Sequence, residues 1–175
     1  MKTKRNILVL SLLIMSLVTV ISCEKKADVE EPREVLIIEP LVGIGSAQFG
    51  MTRDQIIEYF GQPDQVFEGK VTKLNYVPSR GLNFAVDSES GLQEIGCWSE
   101  GMLPSRVTTF AGKTKEGIKI GASEEEIVAA YGRPDSTSTA SSPIGAIQNL
   151  HYDKLRTRFS LKENKLMSMV FETPK

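Results

Sequence analysis

The chain states one phrase twice. Gly50-Met-Thr-Arg-Asp-Gln-Ile-Ile-Glu-Tyr-Phe-Gly-Gln-Pro-Asp64 returns as Gly121-Ala-Ser-Glu-Glu-Glu-Ile-Val-Ala-Ala-Tyr-Gly-Arg-Pro-Asp135, offset by 71 residues from its first position to its last. Solenoid repeats run to roughly 20–50 residues, so this spacing predicts a duplicated α+β unit and not an array. Each phrase reads as one short helix. Thr52 and Ser123 stand at the N-cap, with Gln55 and Glu126 three residues on to complete a capping box. Gly61 and Gly132 sit where a chain leaves a helix through a left-handed residue, and Pro63 and Pro134 then forbid continuation. Ile56, Ile57 and Phe60 give one helix its apolar face, and Ile127, Val128 and Tyr131 give the other its equivalent. Helices this short are marginal alone and must dock on something.

Beyond each helix the chain reads as strand. In the first copy Val71–Tyr76, Leu82–Val86 and Leu92–Trp98 are separated by turn chemistry at 78–81 and 88–91. In the second, Gln148–Tyr152, Arg158–Leu161 and Leu166–Phe171 repeat the arrangement, with Glu163-Asn164 turning the last pair. Leu74 and Tyr76 match Leu150 and Tyr152, and Phe84 matches Phe159. The alternations Leu82/Phe84/Val86 and Met167/Met169/Phe171 suit antiparallel strands with one buried face. The expected fold is therefore α+β: two tandem repeats, 41–98 and 115–175, each a capped helix followed by a three- to four-stranded antiparallel sheet, joined by a connector over 99–114. The Ser/Thr run 136–142 reads as a loop.

The first 22 residues have a different character. Lys2, Lys4 and Arg5 precede an apolar run over 7–21, which ends in Val20-Ile21-Ser22-Cys23. A basic start, a short apolar stretch and a small residue at the cut site describe a secretory signal over 1–22. A cysteine directly after that cut resembles a bacterial lipobox, which makes Cys23 the expected lipid-bearing residue. A run of this length rises about 22 Å as helix, short of a hydrocarbon core of about 30 Å. Cleavage before Cys23 leaves 153 residues carrying eighteen Lys and Arg against twenty-two Asp and Glu. That balance, with no polybasic stripe, argues against nucleic acid. Cys97 is then the one remaining thiol, so no intrachain disulfide is expected. Residues 23–40, charged through 24–34, read as a flexible lipid-anchored tether.

The phrase Phe49-Gly50-Met51-Thr52 … Ile56 … Gly61-Gln62-Pro63 resembles the helix motif of the small outer-membrane-assembly lipoproteins of the BamE (SmpA/OmlA) type. The tandem arrangement, with Gly117-Ile118-Lys119-Ile120-Gly121 opening the second copy, resembles the β-lactamase-inhibitor-protein-like (BLIP-like) architecture. That likeness covers roughly residues 43–172 and implies helix-plus-sheet repeats forming a concave sheet that grips a protein partner. It transfers no partner-contact residue.

Signs of catalysis are few. Ala111-Gly112-Lys113-Thr114 imitates the tail of a phosphate loop, but Val107 stands where the first glycine belongs. Gly43-Ile44-Gly45 likewise fails as a dinucleotide fingerprint, its third glycine being Gly50. No ligand spacing surrounds His151, the one histidine, so neither metal nor cofactor is expected. Cys97 aligns with Phe171 and reads as a buried thiol, although a small enzyme using Cys97 and His151 is a rival reading. Phe60, Phe84, Tyr131 and Phe159 recur at matched positions and read as packing. Trp98, Tyr59 and Phe67 have no matching aromatic, which makes them the candidate binding residues. The sequence thus points to a non-enzymatic bacterial envelope lipoprotein, membrane-anchored through Cys23, presenting a sheet to a protein partner as scaffold or inhibitor. A small-ligand-binding lipoprotein is the alternative.

Overall fold

The computed structural model describes residues 35–102 and 106–175. The signal, Cys23 and the tether as far as residue 34 lie outside the described residues, as do 103–105 of the connector. Both repeats fall within one compact unit, Glu34–Lys175.

Three short strands come first: β1 (Ile37–Glu39), β2 (Gly43–Ile44) and β3 (Ala47–Gln48). The first repeat comes next, with α1 (Arg53–Phe60), β4 (Gln65–Phe67), β5 (Val71–Tyr76), the one-turn helix α2 (Val77–Arg80), β6 (Leu82–Asp87) and β7 (Gly91–Trp98). The connector contributes β8 (Lys113–Thr114). The second repeat runs α3 (Glu124–Tyr131), β9 (Ser136–Ser142), β10 (Gly145–Tyr152), a 3-10 turn at Asp153–Leu155, β11 (Thr157–Lys162) and β12 (Lys165–Glu172).

The α+β class holds, but the separate small sheets do not form. Each repeat supplies four strands to one eight-stranded antiparallel sheet in the order β4-β5-β6-β7-β12-β11-β10-β9. The repeats join through their last strands, with Cys97 opposite Met169 and Ile95 opposite Phe171. Sequence patterning saw each strand's buried face but not this pairing, because an inner strand and an edge strand alternate alike. A second sheet, β3-β2-β1-β8, is built from residues 37–48 and the connector, with β1 parallel to β8. The tether therefore ends earlier than expected: Ile37 to Glu39 are strand, and Ile38 is fully buried. The Ser/Thr run is also strand, pairing with β10 over its whole length.

The duplication extends to the backbone. Gly96 and Val170 are equivalent positions of β7 and β12, and they pair with each other, so a pseudo-twofold axis passes through that pair. A β-bulge interrupts β6–β7 after Ala85, and its counterpart interrupts β11–β12 after Ser160. Both capping boxes are complete, and Gly61 and Gly132 exit at φ 75° and 80° with ψ near 180°, a region open to glycine.

Three rings brace each helix. Phe60 meets Phe84 at 4.9 Å and Tyr76 at 6.1 Å; Tyr131 meets Phe159 at 5.4 Å and Tyr152 at 5.8 Å. The hydroxyls of Tyr76 and Tyr152 donate to the carbonyls of Gly61 and Gly132, tying each helix exit to its sheet. The aspartate that ends each repeated phrase has a matched structural role. Asp64 Oδ2 accepts from the Ser79 amide at 3.0 Å, and Asp135 Oδ2 accepts from the Asp153 amide at 2.8 Å. All of this apolar packing, with Ile38, Ile44 and Phe110, lies on one side of the large sheet.

Candidate functional site: the open face of the sheet

Side chains alternate across a strand, so the residues between the core positions define a second face. In the first half it carries Gln65, Asn75 and Asn83 in one cross-strand line that reaches Gly96. The line continues through Val170 to Arg158, His151 and Ser136 in the second half. Near the axis the positions are small and closed to solvent: Ala85, Ser160 and Ser168 are each less than a tenth exposed, as is Val170. Towards the edges Gln65, Lys73, Arg158 and Ser138 are exposed or half-buried. The outcome is a polar surface with a smooth middle and a taller rim.

Trp98 lies on that middle. Its indole N–H donates to Asn83 Oδ1, which requires the ring to pass over Gly96. A Cβ at Gly96 would run into both Asn83 Oδ1 and the indole nitrogen. Gly96 is therefore needed for close approach and not for a special dihedral. The indole stays half-buried, with one partner bond satisfying its single donor.

The three candidate aromatics do not form one cluster. Phe67 shares the face with Trp98, on edge strand β4, three strands away, and is 54% exposed. Tyr59 is 56% exposed, but it belongs to α1 on the other side of the sheet. Phe67 and Trp98 can meet one partner; Tyr59 cannot join them on the same surface.

Cys97 and His151 are separated by the sheet itself. Cys97 is fully buried on the core face, and burial pushes its thiol well above the ordinary range, so it carries no nucleophilic thiolate. His151 lies on the open face, three strands along. Its Nε2 is 3.0 Å from Ser138 Oγ, a contact set by the β9–β10 register and invisible while 136–142 read as a loop. Among the described residues no carboxylate bonds its other nitrogen, so the pair lacks the orienting third group of a hydrolytic triad. No cluster of three His, Cys, Asp or Glu suited to a metal occurs among the described residues.

A cleft of about 560 Å³ opens beside this face, lined by Leu41, His151, Arg156, Arg158, Val170 and Glu172 among others. Arg156 Nη2 contacts Glu172 Oε2 at 2.6 Å, while its Nε is enclosed without a partner. In the first half the place of Arg156 belongs to Gly81, and there the connector crosses: the Thr108 amide donates to the Val77 carbonyl and the Phe110 amide to that of Trp98. Val107 and Phe110 are buried by that crossing.

No family model and no curated protein matches the sequence. Among solved structures, a DUF4309-family protein of Bacillus subtilis aligns with 70% of this chain and 78% of its own, at 14% identity and a TM-score of 0.44. A cysteine-rich secretory protein of Staphylococcus aureus aligns with 71% of this chain and 43% of its own, at 14% identity and a TM-score of 0.39. These are partial likenesses and assign neither family nor function.

Proposed function

We propose that this chain is a non-enzymatic bacterial envelope lipoprotein, exported by its leader and held by lipid at Cys23, that binds a protein partner on the open face of its sheet. The observation that carries the reading is the seating of Trp98 over Gly96. Such a face offers a half-buried aromatic anchor within a smooth, small-residue middle and a polar rim. Protein interfaces are built on that plan, with aromatic anchors at the centre and water-excluding polar contacts around them. The area is adequate too, since eight strands about 4.8 Å apart give a sheet some 34 Å wide. Scaffold and inhibitor use such a face alike.

The test is crosslinking in the native envelope, followed by mass spectrometry of the captured complexes. Wild-type protein is expected to capture one reproducible protein partner, and Trp98→Ala to lose it while keeping the wild-type circular dichroism spectrum. Capture that survives Trp98→Ala undiminished overturns the assignment to this face. Cys23→Ser is expected to release the protein from membranes; unchanged membrane extraction overturns the lipid anchor. The cleft beside Arg156 favours one second reading, a small-ligand carrier, because its volume lies within the roughly 300–1,000 Å³ of ligand sites. A ligand retained in native mass spectrometry of the purified chain would favour that reading over the first.

A further inference from the structure

We infer that edge strand β9 is a strand-addition site for an extended, basic segment of a partner polypeptide. The inference rests on the partner-binding reading only in taking the partner to be a protein, and it concerns the sheet's edge and not its open face.

The two edges of the sheet are equivalent by the duplication, yet they are finished differently. β4 has three residues. Glu68, directly after it, is held by Arg53 of α1 at 2.8 Å and by the Thr72 hydroxyl at 3.2 Å, so the chain turns away at once. Shortness and charge of this kind are how proteins protect an edge. β9 has neither. It runs seven residues, Ser136–Ser142, with no charge, proline or interior bulge, and all but Ser142 are exposed.

The register says which groups face outward. Pro143 and Ile144 form a two-residue loop, and Ser142 pairs with Gly145 across it. A two-residue hairpin closes on a hydrogen-bonded pair, and such pairs alternate along an antiparallel ladder. Ser142, Ala140, Ser138 and Ser136 therefore bond β10. Thr137, Thr139 and Ser141 turn their N–H and C=O outward, a row of three donors and three acceptors matching an incoming main chain.

Side chains and charge restrict the occupant. The β9 side chains are small and leave both faces of an added strand accessible. On the helix side, Thr139 lies beside Gln148, whose Nε2 donates to Glu124 Oε2 at 3.0 Å. Glu124, Glu125 and Glu126 form the first turn of α3, so basic side chains facing that helix are favoured. A second copy of the chain brings the same acidic turn. Pairing two seven-residue edges also buries less than the roughly 1,200 Å² of a stable interface, whereas a longer segment can continue past the strand.

The experiment uses the full chain purified in detergent, residue-resolved amide exchange, and two extended peptides: one alternating lysine with valine and threonine, the other with glutamate for lysine. The lysine peptide is expected to slow exchange at Thr137, Thr139 and Ser141 about tenfold or more, and the glutamate peptide not to. Thr139→Pro removes one outward donor without touching the β10 ladder and is expected to weaken peptide binding about tenfold, while Thr139→Val leaves it unchanged. Protection elsewhere, equal binding by the glutamate peptide, no binding by either, or binding indifferent to Thr139→Pro overturns the assignment. So does a concentration-dependent dimer protected along β9, which names a second copy as the occupant. Loss of native crosslinks in Trp98→Ala with peptide binding intact, or the reverse, separates this site from the open face.

Discussion

Gly81 and Arg156 hold the same position in the two halves, each with a positive φ, 65° and 48°, between a single helical turn and the third strand of its repeat. Around Gly81 the connector presses so close that a Cβ would run into the Thr108 carbonyl and the Phe110 amide. Around Arg156 no such crossing occurs, and a full side chain reaches across to Glu172 beside an open cleft. One half thus needs glycine because of what packs on it. The other tolerates a strained arginine because its surroundings leave room. A backbone conformation can be inherited by both copies of a duplication while the reason for the residue differs.

The deepest test of that comparison lies in the paired cores. Phe84→Ala and Phe159→Ala should each destabilise by about 3–5 kcal/mol in chemical unfolding. Phe159→Ala should be the costlier, since Phe159 also meets Phe171 at 6.3 Å where the first half offers only Cys97. Equal losses would show that the extra ring contributes nothing. Next, Gly81→Ala should cost about 2–3 kcal/mol, combining strain with a collision against backbone. Arg156→Gly should move stability by less than about 1 kcal/mol, because relief at φ offsets loss of a partly exposed ion pair. A large loss there would mean that the Arg156–Glu172 contact organises the cleft.

Smaller effects probe places where the halves agree or part. Thr52→Ala and Ser123→Ala each remove a capping box and should cost about 1 kcal/mol apiece by thermal unfolding. The turns before β7 and β12 differ in kind. The first is held by the Asp87 carboxylate, which accepts from the amides of Glu89 and Ser90 and from the Ser90 hydroxyl; these bonds lower its pKa. The second is made by the backbone, with Glu163 and Asn164 both at positive φ. A depressed carboxylate stabilises above its unfolded value of about 3.9 and loses that contribution as pH falls through the folded value. Protection of the Ser90 amide, measured against the intrinsic exchange rate at each pH, should therefore fall on acidification below about pH 4, and protection at Asn164 should not follow it. Asp87→Asn should remove the difference.

What the sequence made legible was whatever repeats or buries. The capping boxes, helix exits and inner strands came from residues that must be polar, glycine or apolar for local reasons. The continuous sheet was not legible, since Ile95, Cys97, Met169 and Phe171 report burial without naming the strand across from them. β9 was missed because an edge strand of serine and threonine buries nothing and so carries no alternation. Of the candidate site, Trp98 was marked by lacking a partner in the duplication. Its support was not, because Gly96 has an ordinary φ and reveals its purpose only when the indole is seen above it. Tyr59 could not be separated from Trp98 and Phe67, because the apolar stripe of Ile56 and Phe60 tells which side of α1 packs but not which face of the sheet that helix covers relative to Trp98.

The seam at Gly96 and Val170 also sets an order of events. A chain emerging from its N-terminus completes β7 by Trp98, but the strand that covers that edge, β12, spans Lys165–Glu172 and arrives only after the connector, α3 and β9 to β11. Until then the first half must carry Ile95 and Cys97 on an unpaired border, the kind of surface that invites aggregation during folding. Closure of the sheet therefore waits for β12, and every truncation that removes β12 should leave a folding intermediate and not a smaller protein.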